Sequence, residues 1–375
     1  MKKRLIVALV ILGVSIGLNA AAWYVPGFSD WFTDRILPYW GMTLGRFNSV
    51  FSFSVGELLI FAGIILSVVL LSMTVLCLFL HRRKRFTAAA GRLWLKTLGI
   101  VILVYAVETS NCLIEYHCTP LEQGLPGYGQ SYDTDDLARL RDYIVNEVNT
   151  RAGQLPRDSH GEILYVGGEN AMQQTARSAI ASLSDAYPRL RGSSVVPKPL
   201  TASRFVSQQY MQGYYFPFSM EACYNTLMKD MNKPFTMCHE LSHTHGYIYE
   251  DDANFLGFLA CVRSGDPVFE YSGWLGVLNY VNNDFYQAVG RETYESHPAI
   301  SKTVQRDNEF LSDEAWQDVE SHKLFRTKTV RAAADTAVDT TLKVNGVSSG
   351  KESYSRVVRL LLEYFNGEYQ LPAAG

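Results

Sequence analysis

The sequence predicts a mainly α protein with a small β-sheet, α+β in class, in which N-terminal transmembrane helices precede one soluble domain. Three observations carry that prediction. Long charge-free apolar runs are confined to the start of the chain, apolar residues recur at helical spacing beyond them, and one aromatic stretch, residues 212–228, alternates as a strand does.

The chain has 375 residues and is 47% hydrophobic, which would suit an ordinary soluble protein if the apolar residues were evenly spread. They are not. Residues 58–80 (LLIFAGIILSVVLLSMTVLCLFL) carry no charge, and at about 1.5 Å of rise each they cover a hydrocarbon core of roughly 30 Å. Residues 5–22 form a second such run behind Lys2, Lys3 and Arg4, with Trp23 and Tyr24 at the level where aromatic residues anchor a span. Ala20, Ala21 and Ala22 leave a cleaved signal peptide as the competing reading, and either reading sends the following loop outward. Residues 97–114 form a third run, broken by Glu108 and Asn111; a buried helix of the soluble domain is its alternative.

Arg82, Arg83, Lys84, Arg85, Arg92 and Lys96 lie between the second and third runs, whereas the loop between the first two holds only Arg35 and Arg46. Basic loops stay in the cytoplasm. Three spans therefore make residues 1–116 a membrane region and residues 117–375 an extracytoplasmic domain of a multi-pass cell-membrane protein. A net charge of only -3 offers no footprint for nucleic acid. Of the six cysteines, Cys112 and Cys118 are near enough in sequence to pair, while Cys238 and Cys261 have apolar neighbours and read as buried thiols. No C-x-x-C pair is present to suggest a zinc ribbon or a thioredoxin-type site.

Along the domain, PLEQGLPGYGQ (120–130) is a turn-rich boundary. A helix follows, capped by Thr134 and buried along Leu137, Leu140, Ile144 and Val148. Ile163 to Val166, between glycines, reads as a short strand, residues 169–184 as a helix, and Pro197 and Pro199 begin an irregular stretch. The aromatic run 212–228 is extended and ends before Asn232, Lys233 and Pro234. Helices continue to the end of the chain, the last at about 353–366.

The chemistry concentrates in TMCHELSHTHGYIYEDDANF, residues 236–255. His239, Glu240 and His243 spell H-E-x-x-H, which on a helix places two imidazoles one turn apart on one face, able to reach a single zinc ion at about 2.0–2.1 Å. The Glu240 carboxylate then stands beside the metal's water as general base. Gly246 sits where a left-handed cap would end that helix and turn the chain back. Zinc in catalytic sites takes three protein ligands and leaves a position open. Glu250 is favoured as the third, because it shares a helix face with Asn254, which can hold a ligand in place by hydrogen bonding. Asp251 and Asp252 suit the positive end of the next helix without a metal, and His245 points to another face as a solvated histidine; these three remain the alternatives.

Glu250 to Asn254, E-x-x-A-N, resembles the element that supplies the third zinc ligand in gluzincin-type peptidases, including the membrane CAAX-prenyl-protease group. The wider stretch Pro234 to Phe255 resembles the domain-of-unknown-function family 3810, a bacterial membrane family with a zincin-like motif, and GYYFPFSMEACYN and LKVNGVSSGKESYSRVVRLLL extend the likeness over nearly the whole chain. The resemblance implies a zincin-like metallopeptidase domain. The expected function is a membrane-anchored, zinc-dependent metallopeptidase that hydrolyses a protein or peptide substrate with a metal-activated water; a noncatalytic zinc-binding envelope sensor or pseudopeptidase is the alternative. Residues 221–226 are expected to lie beside the cleft and pair with substrate backbone. Tyr354, Tyr271 and Tyr247 are candidates for the electrophile opposite the metal.

Overall fold

Residues 2–159, 161–192, 195–345 and 355–369 are described by a computed structural model. The apolar runs become helices: α1 (Lys2–Tyr24), then a short amphipathic α2 (Phe28–Arg35) and helical turns through residues 37–48, then α3 (Val55–Phe79) and α4 (Lys84–Glu108). Among the described residues, three helices, Lys3–Tyr24, Val55–Phe79 and Lys84–His117, are long and apolar enough to cross a membrane. The third begins well before residue 97, because Ala88, Ala89 and Ala90 carry the helix through the basic segment and leave only a tight turn between α3 and α4. It then widens into a π-helical turn at Thr109–Leu113, where the Ile114 amide reaches back to the Thr109 carbonyl at 3.2 Å.

The rest of the chain is mostly helical around one small sheet. Helix α5 (Thr134–Ala152) is capped by Asp133, which exchanges bonds with Asp136 in a capping box, so Thr134 is the first helical residue and not the cap. Helix α6 (Gly168–Ser182) follows, and the expected strand at 163–166 reduces to a single bridge between Arg157 and Ile163. Strand β1 (Lys198–Pro199), helix α7 (Ser203–Gln208), and the hairpin β2 (Gly213–Phe216) and β3 (Glu221–Tyr224) build a sheet of order β1-β3-β2. Then come α8 (Lys233–Thr244), α9 (Glu250–Val262), α10 (Pro267–Ser296), α11 (Lys302–Asp307), α12 (Asp313–Ser321), α13 (Thr327–Val344) and α14 (Arg356–Phe365). The main core lies among α5, α8, α9, α10 and α14, where Trp274, Phe258 and Phe365 pack with Val357, Val358, Leu361 and Leu140. All six cysteines are free thiols, Cys112 and Cys118 included.

The sheet is locked to the apolar helices through buried charge. Glu221 in β3 accepts the Val55 and Gly56 amides at the start of α3 (3.0 and 2.5 Å) and pairs with Lys198 at 2.5 Å, both side chains being buried. An acid there satisfies amides that a helix leaves without partners and sits at the favourable end of its dipole. Reciprocally, Glu57 in the first turn of α3 accepts the Thr201 and Ala202 amides at 2.7 and 2.8 Å, where α7 begins. Lys198 completes the joint by donating to the Asn48 and Phe53 carbonyls.

Candidate metal centre

Helix α8 starts with Pro234 in its first turn and ends at Gly246, whose φ of +86° is the left-handed cap that a side chain would strain. A Cβ at Gly246 would also strike Thr33 and Leu37 of the segment between α1 and α3. The chain turns back within four residues, so the first residue of α9, Glu250, faces the exposed side of α8.

Two imidazoles and one carboxylate meet there. Nε2 of His239 and Nε2 of His243 are 3.1 Å apart, with the rings perpendicular. Glu250 places Oε2 3.1 Å from the first and Oε1 3.8 Å from the second. Two ligands bound tetrahedrally to one zinc at about 2.0–2.1 Å stand roughly 3.3 Å apart, so this spacing fits the ion.

The hydrogen bonds behind the rings make the fit chemical as well as geometric. Nδ1 of His243 lies 2.8 Å from the Tyr247 carbonyl, an acceptor only, so His243 carries a proton on Nδ1. Nδ1 of His239 lies 2.9 Å from Oδ1 of Asn254, whose amide nitrogen is engaged with the Tyr280 hydroxyl at 3.2 Å, so His239 is protonated there too. In its neutral form each imidazole presents an Nε2 lone pair to the other and to a carboxylate. A shared positive charge relieves their contact, whether a proton on Nε2 of His239 or a metal cation.

The electrostatics agree with a site poised for positive charge. Burial opposes a charge on His239, yet the hydrogen bond and charge of Glu250 raise it to about 9. His243 is lowered to about 4 by burial, with Glu250 acting against that and His239 adding to it. Partial desolvation raises the Glu250 carboxyl, whose side chain remains 66% exposed, but the His239 hydrogen bond and the positive charge that the imidazoles can carry bring it down to about 2.

Glu240 is buried on the neighbouring face of α8, and burial pushes it up to about 8 against the pull of His239. Its carboxylate rests on the backbone of β2: a Cβ at Gly213 would collide with Oε1 of Glu240. The triad and Glu240 form the floor of a cleft of about 890 Å³, walled by β2, by Leu275 to Tyr280 of α10, and by Ala334, Val338 and Leu342 of α13.

The other sequence-derived candidates lie elsewhere. Asp252 pairs with Arg356 at 2.8 Å and Asp251 accepts the Val357 amide at 3.2 Å, so these acids anchor α14. His245 is half-buried and not solvated; its Nδ1 meets the Arg189 carbonyl at 3.0 Å. Tyr271 is buried and donates to Asp307, and the Tyr247 ring packs beneath Arg189, so neither hydroxyl faces the triad. Tyr354 lies outside the described residues. Residues 221–224 are the central strand with both edges taken; the strand beside the cleft is β2. Tyr280 and Tyr214 are among the tyrosines that line the cleft. Tyr280 has a trace in the sequence, since Asn279, Tyr280 and Asn283 share one face of a helix whose first half is otherwise mostly apolar.

Fold and site together define a helix-rich chain with three helices fit to cross a membrane and a His-His-Glu cluster at the floor of a cleft. Residues 32–362 match the model of the family described as Protein of unknown function (DUF3810), and the chain belongs to that family. No curated protein and no solved structure matches it.

Proposed function

We propose that the chain is a membrane-anchored, zinc-dependent metallopeptidase with its site outside the cytoplasm. The observation that carries the reading is the convergence of three potential ligand atoms, from His239, His243 and Glu250, beside the buried Glu240 carboxyl, which is not itself among them. A structural site gains nothing from such a base. A zinc ion held by His239, His243 and Glu250 supplies a Lewis acid and lowers the pKa of water toward about 7. Glu240 takes a proton from the attacking water and returns it to the leaving amine.

Substrate binding follows from the edge of the sheet. The Asn225 amide donates to the Gln212 carbonyl at 2.7 Å, which makes residues 212, 214 and 216 the inward-bonded positions of this antiparallel pair. Gly213 and Tyr215 therefore turn their amides and carbonyls to the open edge, where an extended peptide can add as a further strand. The Tyr280 hydroxyl, tied to Asn254, is the group best placed to donate to the oxygen that gains charge. The orientation in the membrane rests on Arg82, Arg83 and Lys84, which sit at the opposite end of the helices from the domain.

The test is zinc content and peptide hydrolysis by the purified full chain, as wild type, Glu240→Gln and His243→Ala. The reading expects one zinc per chain in wild type and Glu240→Gln, with hydrolysis only in wild type. Unchanged hydrolysis by the zinc-loaded glutamine variant refutes the base, and zinc without any hydrolysis in wild type favours the noncatalytic sensor.

A further inference from the structure

Although the H-E-x-x-H motif is far in sequence from the last apolar run, β2 connects the two in space. At one end of the strand Gly213 lies against Glu240. At the other, the Phe216 ring packs on Gly56 in the first turn of α3, leaving only 2.6 Å for a Cβ there. Asn111, in the π-helical turn that ends the third apolar helix, donates to the Pro217 carbonyl and accepts from the Tyr215 hydroxyl, both at 3.0 Å. The Tyr215 ring in turn stacks on His243, with centroids 6.0 Å apart. The cleft shares that end: Cys112 and Tyr116 from the same helix line its wall.

The surface around those helix ends is built for lipid. Trp31, Tyr39, Phe47, Val50, Phe51 and Phe53 all stand exposed on the segment between α1 and α3, with Phe47 at 64% and Val50 at 80%. On a water-facing surface so many large apolar side chains would be costly, whereas aromatic residues on short helical segments are what the headgroup level favours. The Trp23 ring at the end of α1 meets the His117 ring at the end of the third helix, tilted at 50° with 4.4 Å between centroids, which sets both ends at one level. The bilayer surface thus meets the cleft at its Pro217 end.

From these relations, and resting on the peptidase reading above, we infer that the substrate is the extended juxtamembrane segment of a bilayer-tethered polypeptide. Such a segment leaves the membrane at Pro217 and runs along the open edge of β2 to Glu240. The strand has four residues. At about 3.3 Å each it measures out roughly 13 Å, so the bond cut lies roughly four to eight residues from the bilayer boundary. The reaction is simple hydrolysis: water is the co-reactant, the peptide C–N bond breaks, a C–O bond forms, and one water proton goes to the departing amine.

The experiment uses the full chain in phosphatidylethanolamine–phosphatidylglycerol liposomes, domain outward. A random-sequence peptide pool is offered free in solution, attached to the same liposomes by a palmitoyl chain, or fused to a transmembrane helix. Mass spectrometry maps each cut from its anchor. The inference expects at least about tenfold faster hydrolysis of both anchored pools, with cuts clustered roughly four to eight residues from the bilayer, and a flexible spacer beside the anchor should leave that distance unchanged. Acceleration of the palmitoyl pool alone assigns a lipid anchor, and of the helix-fused pool alone a transmembrane one. Equal rates for free and anchored pools, or cuts scattered regardless of distance, overturn the inference while leaving the peptidase reading intact. No hydrolysis of any pool by the zinc-loaded chain overturns both.

Discussion

Asn254 holds its side-chain oxygen 2.9 Å from Nδ1 of His239, fixing the imidazole proton on the side away from His243 and Glu250. The bond joins α8 to α9 and decides what the other nitrogen offers. Removing the acceptor frees the ring to rotate and to place its proton on Nε2. Asn254→Ala is expected to weaken zinc binding by about 10–100-fold, read by chelator competition; an unchanged affinity would show that the bond does not set the tautomer.

Gly213 controls the position of Glu240 because no side chain fits between them. Gly213→Ala should retain zinc, since none of the three ligands touches the new methyl, yet lower kcat by about 10²-fold through displacement of the base. Zinc loss in step with activity would place the damage in the ligands instead. Tyr280→Phe is the companion variant: it should lower kcat more than it raises KM, because the donor is needed where charge develops.

The legible part of this protein was its local part. The long apolar helices declared themselves by length and lack of charge, and His239, Glu240, His243, Glu250 and Asn254 come together because one helix, one left-handed glycine and one short return place them, all within a stretch that sequence spacing describes. What sequence spacing could not describe depended on pairing. Nothing in EACY or GYYF tells which strand is central; pairing with β1 makes Glu221–Tyr224 central and leaves Gly213–Phe216 at the edge. Lys198–Pro199 read as irregular because a two-residue strand has no period. Spacing alone makes the acids at 251 and 252 dipole partners, whereas Arg356 and the Val357 amide of a distant helix claim them. That Tyr215, stacked on His243, also bonds Asn111 at the end of the third apolar helix is a contact between residues about a hundred positions apart, beyond any periodicity.

Lys198 and Glu221 form a buried pair at 2.5 Å, and Glu221 also closes the start of α3. Glu221→Ala strands a buried ammonium and two helix amides, so a loss of about 3–5 kcal/mol is expected, visible as a lower Tm of the detergent-solubilised chain. A double Lys198→Met, Glu221→Leu variant should recover part of it. If the single variant melts with wild type, the joint between sheet and α3 is not a source of stability.

Asp30 ties α2 to Thr119 and Arg189 and reports on that contact through pH. Its burial raises the carboxyl pKa, but the hydroxyl and amide of Thr119 together with Arg189 outweigh that and lower it below 3.8. A lowered folded-state pKa means the contribution is present above the unfolded value of about 3.9 and is lost as pH falls through the folded one. Asp30→Asn should therefore melt below wild type at neutral pH and approach it under strong acid. A constant gap across that range would contradict the assignment.

The central claim is that His239, His243 and Glu250 grip one cation, and zinc-edge X-ray absorption on the purified full chain addresses it most directly, with metal content measured on the same samples of wild type, Glu250→Ala and Asp252→Asn. The account predicts one zinc per chain with two imidazole nitrogens and a carboxylate oxygen in its shell, unaltered in Asp252→Asn and lost or stripped of that oxygen in Glu250→Ala. A chain that takes up no zinc, or whose zinc keeps the same shell without Glu250, would contradict it.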